Sequence, residues 1–142
     1  MLSMWTDTIP EGVTAIGKWC FYEREDITEI IMPNTVTSIA SECFKRLYSL
    51  TKIVLSTTLK SIDSDCFQYL PNLRKITIPS SLTWIGQRVF FQCYRLTSMR
   101  IPNDWKVKNE QCFRDEPVHC SFQLPENLLI IKRLQSFSHQ ER

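Results

Sequence analysis

Six cysteines and two histidines are the side chains of this 142-residue chain best suited to hold a metal, form a disulfide or act as a nucleophile. Their spacing argues against that chemistry. No Cys-x-x-Cys pair occurs among Cys20, Cys43, Cys66, Cys93, Cys112 and Cys120, and zinc sites usually need such close ligands. His119 and His139 lie toward the C-terminal end, with no partner at the spacing of a triad or a metal site. Gly12, Gly17 and Gly86 are the only glycines, too few and too scattered for a phosphate-cradling loop. The expectation is a protein that is not an enzyme and has no metal site and no cofactor.

Four of the cysteines instead follow a period. Cys20, Cys43, Cys66 and Cys112 precede Phe21, Phe44, Phe67 and Phe113, and Val89 precedes Phe90, so that the phenylalanines recur every 23 residues. Ile9-Pro10, Met32-Pro33, Ile78-Pro79 and Ile101-Pro102 keep the same beat, with Leu55-Ser56 in the slot between. A fixed period in the twenties is the signature of stacked coils, each burying an apolar face that it could not bury alone. Neighbouring coils lie roughly 4.7–4.9 Å apart, so a disulfide between adjacent column members is geometrically conceivable. Val89 in the same column favours a different role, because valine fills a core but cannot bridge or ligate. The cysteines are therefore read as buried, reduced and structural.

The apolar columns extend the pattern. Val13, Val36, Leu59, Leu82, Trp105 and Leu128 form one, and Ile16, Ile39, Ile62, Ile85 and Ile131 another, interrupted by Lys108. Ile27, Leu50, Leu73 and Leu96 form a third, and Ile30, Ile53, Ile76, Met99 and Phe122 a fourth. The chain reads as one domain over 1–142: a partial coil at 1–8, five repeats over 9–123 and a degenerate repeat at 124–142. Within a repeat, Lys52-Ile53-Val54-Leu55 alternates as a short strand with one buried face, and in the neighbouring repeats Pro33 and Pro79, in the slot that Ser56 holds here, end the pairing. Val36-Thr37-Ser38-Ile39 is a second extended piece, followed by a turn slot that holds Gly17, Ala40, Asp63 and Gly86. The stretch through the phenylalanine, such as residues 41–47, is long enough for one helical or 3₁₀ turn only. The fold class is a β-rich solenoid, with short strands on two faces joined by turns and short 3₁₀ or helical segments.

The pattern Leu-x-x-Ile-x-Ile-Pro-x-x-Val-x-x-Ile-Gly-x-x-x-Phe, clearest from Ile78-Pro79 through Ile85-Gly86 and Phe90 to Ile101-Pro102, resembles the BspA-like leucine-rich repeats. The resemblance implies a curved solenoid that binds other proteins, often in surface proteins of microbes and protists and also in intracellular members. Arg88-Val89-Phe90-Phe91 also fits the basic-Val-x-Phe pattern with which regulatory subunits dock to type-1 protein phosphatase. That docking would need Val89 and Phe91 free on an extended segment, whereas Val89 and Phe90 fall in core columns.

Outward positions of the first strand form ladders: Glu29, Lys52, Lys75, Ser98; Ile31, Val54, Thr77, Arg100; and Thr28, Thr51, Arg74, Thr97. Repeat proteins bind along such continuous faces, which nominates Lys52, Val54, Arg74, Lys75, Thr77 and Arg100 as the ligand-binding residues. The alternative is a merely solvated strand face. Tyr48 and Tyr94 share a turn-side column near Tyr22, Tyr69 and Phe91, and are read as covering the edge of the core.

Residues 1–32 carry six acidic and two basic side chains, against three acidic and nine basic in residues 33–103. The basic middle points to an acidic protein partner or to a second copy of the chain. Self-association through the solenoid ends, giving a homo-oligomer, is thus the alternative to a non-catalytic protein-binding scaffold. A net charge of +2 and the lack of a recognised motif argue against nucleic acid. The longest aliphatic run, Leu128 to Ile131, is too short to span a membrane, and no secretory signal is evident at the start. A cytoplasmic location is the resulting expectation.

Overall fold

The computed structural model describes residues 9–96 and 98–100. The columns' members at Trp105, Lys108, Phe113, Phe122, Leu128 and Ile131, Cys112, Cys120, both histidines, the partial coil at 1–8 and the degenerate repeat at 124–142 lie outside these residues.

Eight short strands follow one another: β1 Ala15–Ile16, β2 Glu29–Ile31, β3 Ser38–Ile39, β4 Lys52–Val54, β5 Ser61–Ile62, β6 Lys75–Thr77, β7 Trp84–Ile85 and β8 Ser98–Arg100. All pairing is parallel and joins equivalent strands of neighbouring repeats, as Ala15 with Ser38 or Ile30 with Ile53. Like residues therefore stack on like residues, and the chain winds as a stack of coils rather than around one centre. The odd strands form a continuous sheet in the order β1-β3-β5-β7. The longer even strands form two pairs, β2-β4 and β6-β8. β4 and β6 lie side by side without a hydrogen-bonded ladder between them.

The core is built from the columns read in the sequence. Ile16, Ile39, Ile62 and Ile85 are buried, as are Ile27, Leu50, Leu73 and Leu96, and Ile30, Ile53, Ile76 and Met99. Val36, Leu59 and Leu82 are buried with them, and Val13 is partly buried against the same cluster. The phenylalanine column is a stack: Phe21 to Phe44, Phe44 to Phe67 and Phe67 to Phe90 are 5.2, 5.6 and 5.9 Å between ring centroids, with the rings within 12° of parallel. Such offset stacking adds about 0.5–1.5 kcal/mol per pair to the burial of the rings.

The stretch through the phenylalanine forms turns, and no helix or 3₁₀ segment occurs among the described residues. Two columns of left-handed backbone explain this. Trp19, Glu42, Asp65 and Arg88 form one and Glu23, Arg46, Tyr69 and Gln92 the other, all with φ between 53° and 64°. A right-handed helix cannot run through a left-handed residue, and two of them four positions apart leave no room for one. The amides freed in this way reach across to the next coil. Phe21, Phe44 and Phe67 donate N–H to the carbonyls of Cys43, Cys66 and Val89 at 2.9, 3.0 and 3.0 Å. Glu23, Arg46 and Tyr69 donate similarly to Lys45, Gln68 and Phe91. The turn edge is thus a third ladder along the stack, made without strands.

Side-chain hydroxyls supply a fourth. Thr35 and Ser81 donate to the carbonyls of Val13 and Leu59 in the preceding coil at 2.8 and 2.7 Å, and Thr58 donates to the Asn34 carbonyl at 2.6 Å. Ser56, in the slot that proline holds in neighbouring repeats, is fully buried and donates to the Val36 carbonyl at 2.8 Å.

Cys43, Cys66 and Cys93 are buried free thiols, and Cys93 donates S–H to the Phe67 carbonyl at 3.0 Å. Burial pushes the Cys43 and Cys66 thiols well above the usual range. Cys20 departs from the expectation and is exposed. It belongs to the first described coil, where Phe21 and Val13 are also only partly covered, and among the described residues a coil stacks on one side of it alone. Among the described residues no helix is long and apolar enough to cross a membrane.

Candidate functional site

A strand with one face in the core must present its other face outward, because successive side chains alternate. In β2, β4, β6 and β8 the central residue is buried and the two flanking residues are exposed. The parallel register then lines these exposed residues into columns: Glu29 opposite Lys52, Ile31 opposite Val54, Lys75 opposite Ser98 and Thr77 opposite Arg100. Lys52, Val54, Lys75, Thr77 and Arg100 therefore share one outward face, and Arg74, also exposed, stands immediately before β6 at its margin. The structure brings together the six residues singled out by sequence as an exposed strip.

That strip changes character along the stack. At the β2-β4 end, Ile31 is 48 % and Val54 42 % exposed, side by side. Beside them the Lys52 ammonium lies 3.4 Å from the Glu29 carboxylate, an exposed pair worth little in stability but enough to offset the local charge. At the β6-β8 end Arg74, Lys75 and Arg100 make no ion pair among the described residues, and no carboxylate stands in their columns there. The unpaired seam between β4 and β6 divides the two ends, and across it Lys52 and Lys75 occupy the same column. Like charges placed opposite each other weaken a sheet.

The opposite sheet presents a different surface. Its outward column is Ala15, Ser38, Ser61 and Trp84, small until Trp84, which is 48 % exposed. Sequence reasoning passed over Trp84; its signal was an aromatic residue in a column that holds alanine and serine in the other coils. On the turn edge Tyr48 and Tyr94 are exposed, not laid over the core, while Tyr22, Tyr69 and Phe91 are half-buried. The Arg46 guanidinium lies 5.3 Å from the Tyr69 ring centroid and bonds Glu23 at 3.0 Å, so this edge is laced internally. Lys45 holds the Glu42 carboxyl below its usual range by a hydrogen bond of 3.1 Å, and Arg24 does the same for Asp26.

The phosphatase-docking reading of residues 88–91 is overturned by burial. Val89 and Phe90 are fully buried, and the segment is a turn with Arg88 in the left-handed region, not an extended strand. The Arg88 side chain is engaged with Asp65 at 3.2 Å. Among the described residues no group of three or more His, Cys, Asp or Glu side chains could hold a metal ion.

Comparison with known proteins agrees with this architecture. The family model described as a BspA type leucine-rich repeat region matches residues 3–119 in six copies. No curated protein matches the chain. Among solved structures, a leucine-rich repeat protein from Bacteroides ovatus is 32 % identical with a TM-score of 0.63, over 68 % of this chain and 25 % of that one. The leucine-rich repeat protein of T. pallidum is 29 % identical with a TM-score of 0.66, over 70 % of this chain and 49 % of its own. The pneumococcal vaccine antigen PcpA aligns over 91 % of this chain and 39 % of its own with a TM-score of 0.72, and at 14 % identity it shares the fold alone. The chain spans between a quarter and about half of the length of these structures. With the repeat, the stacked phenylalanines and the family match in agreement, the chain belongs to the BspA-type leucine-rich repeat family.

Proposed function

We propose that this protein is a non-catalytic binding scaffold that holds another protein on the outward face of β2, β4, β6 and β8. The carrying observation is the contrast between faces. The buried columns repeat almost without change, while the outward columns of this one face vary from coil to coil and mix exposed aliphatic with cationic side chains. Ile31 and Val54 stand exposed side by side on the same strip as Lys52, Lys75 and Arg100, a mixture of apolar and cationic groups suited to a protein partner. The excess of basic residues here favours a partner of acidic character. Lys52, Val54, Arg74, Lys75, Thr77 and Arg100 are the proposed contact residues.

Affinity capture from the source cell's lysate, read by mass spectrometry, tests this. The wild type is compared with a folded Lys52→Glu, Lys75→Glu, Arg100→Glu variant. A protein retained by the wild type and lost by the variant is the expected result. A partner retained equally by both would place binding on the turn edge or the opposite sheet. Recovery of the chain itself as the sole partner would make it a self-associating module.

A further inference from the structure

The outward strip has a polarity that specifies more than net charge. At the β2-β4 end it offers an apolar patch (Ile31, Val54) beside an offset ion pair (Glu29, Lys52), and further along the stack, at the β6-β8 end, a cluster of three cations (Arg74, Lys75, Arg100). From this arrangement, and resting on the reading of this face as the binding surface, we infer that the occupant is an extended acidic peptide segment lying across the strands, with one aliphatic side chain on Ile31 and Val54 and carboxylates about three residues away on the Lys75 and Arg100 cluster.

The spacing follows from coil geometry. The middle of the apolar patch falls between the first and second of these strands, and the middle of the cationic cluster between the third and fourth. That is two coil steps, about 10 Å at the usual strand separation. An extended peptide advances roughly 3.3 Å per residue, so about three residues cover the distance. Charge complementarity chooses the sign of the partner. The Lys52 ammonium is already offset by Glu29, which leaves the β6-β8 end as the place where added carboxylates gain most. A helix fits less well, because the exposed side chains of this face form shallow parallel columns and not a groove. A nucleic acid strand would answer the cations but offers Ile31 and Val54 little beyond thymine methyl groups, and the Glu29–Lys52 pair gives its phosphates no net charge to bind.

Fluorescence anisotropy with labelled decapeptides on the full chain tests the inference. One peptide contains Leu-Ser-Gly-Glu-Glu, flanked by serine and glycine. A second has the same composition with the order Glu-Leu-Ser-Glu-Gly, a third replaces both glutamates by glutamine, and a ten-nucleotide thymidine strand is the fourth probe. The first peptide is expected to bind on the order of tenfold more tightly than the other three, as loss of a complementary charge or apolar contact commonly gives. Val54→Ser should remove the advantage over the reordered peptide, and Lys75→Gln with Arg100→Gln the advantage over the glutamine peptide, with circular dichroism checking the fold. Equal binding of the first two peptides, or tighter binding of the oligonucleotide, overturns the inference. Failure of every peptide to bind, while the triple charge-reversal variant still loses a captured protein, would sink the peptide class and leave the binding face standing. If the triple variant loses nothing, the face itself is wrong.

Discussion

The two strand faces of this solenoid are made by the same 23-residue repeat, yet they are built to different standards. On one, β1, β3, β5 and β7 pair without interruption, and the outward residues are alanine and serine up to Trp84. On the other, the strands are longer, the outward residues are charged or aliphatic, and the ladder opens between β4 and β6. The difference shows where the repeat is free to vary. Regularity in the columns that face inward holds the stack together, and departures from it gather at outward positions. The one open seam coincides with the one place where two lysines share a column on consecutive strands, a local cost tolerated on the face that carries the cations.

Variants that strike both faces at once should have the largest effect. Phe67→Ala removes the middle of the phenylalanine stack and should lower stability by about 3–5 kcal/mol in denaturant unfolding. A loss well below 1 kcal/mol would mean that the stack does not hold the coils. Alkaline pH should act next. The Cys43 and Cys66 thiols are raised by burial from the usual 9.0, so above that pH the unfolded chain ionises while the folded one does not. Stability is then full below pH 9 and falls above it, by roughly 1 kcal/mol per thiol at one pH unit higher. Serine at both positions should remove that extra alkaline slope. At neutral pH an alkylating reagent should modify Cys20 while Cys43 and Cys66 stay protected, read by peptide mass spectrometry.

The comparison sharpens when one face is perturbed at a time. Gly86, just after β7 on the continuous side, has no room for a side chain: a methyl group there would fall 2.5 Å from the Ser64 backbone nitrogen. Gly86→Ala should cost about 1–3 kcal/mol, the usual penalty for forcing atoms into a packed site. Lys75→Ser, on the interrupted side, should do the opposite on a smaller scale. It relieves the repulsion from Lys52 and should raise stability by about 0.2–1 kcal/mol, with slower amide exchange at β6. Destabilisation by Lys75→Ser would show that the seam has another cause.

Much of this was legible in the sequence because the period is so regular. Once Phe21, Phe44, Phe67 and Phe90 are aligned, most buried columns of the described coils follow, the column of Leu47, Leu70 and Cys93 having been passed over, and alternation within Lys52-Ile53-Val54 fixes which side chains point out. Three features were not legible, each for a physical reason. Apart from Asp65 the left-handed turns fall on Trp, Glu, Arg, Tyr and Gln, types that carry little signal for positive φ; bonds to the next coil hold them there, and only the stack reveals those bonds. The exposure of Cys20 depends on which coils surround it and not on its column. The seam coincides with a pair of lysines 23 residues apart, and that coincidence acquires meaning only once the strands are set side by side. The candidate site was legible as a set of outward positions, while its division into an apolar and a cationic end required the ion pair between Glu29 and Lys52 to be seen.

The most direct test of the binding face is photo-crosslinking from each sheet in turn. A benzophenone amino acid is placed at Thr77 on the interrupted face, and in a second protein at Trp84 on the continuous one. Both positions are exposed, and both lie on strands of the third and fourth coils. After incubation in the source lysate and irradiation, a discrete adduct is expected from position 77 and none from position 84. An adduct from position 84 alone would put the function on the opposite sheet and contradict the assignment made here.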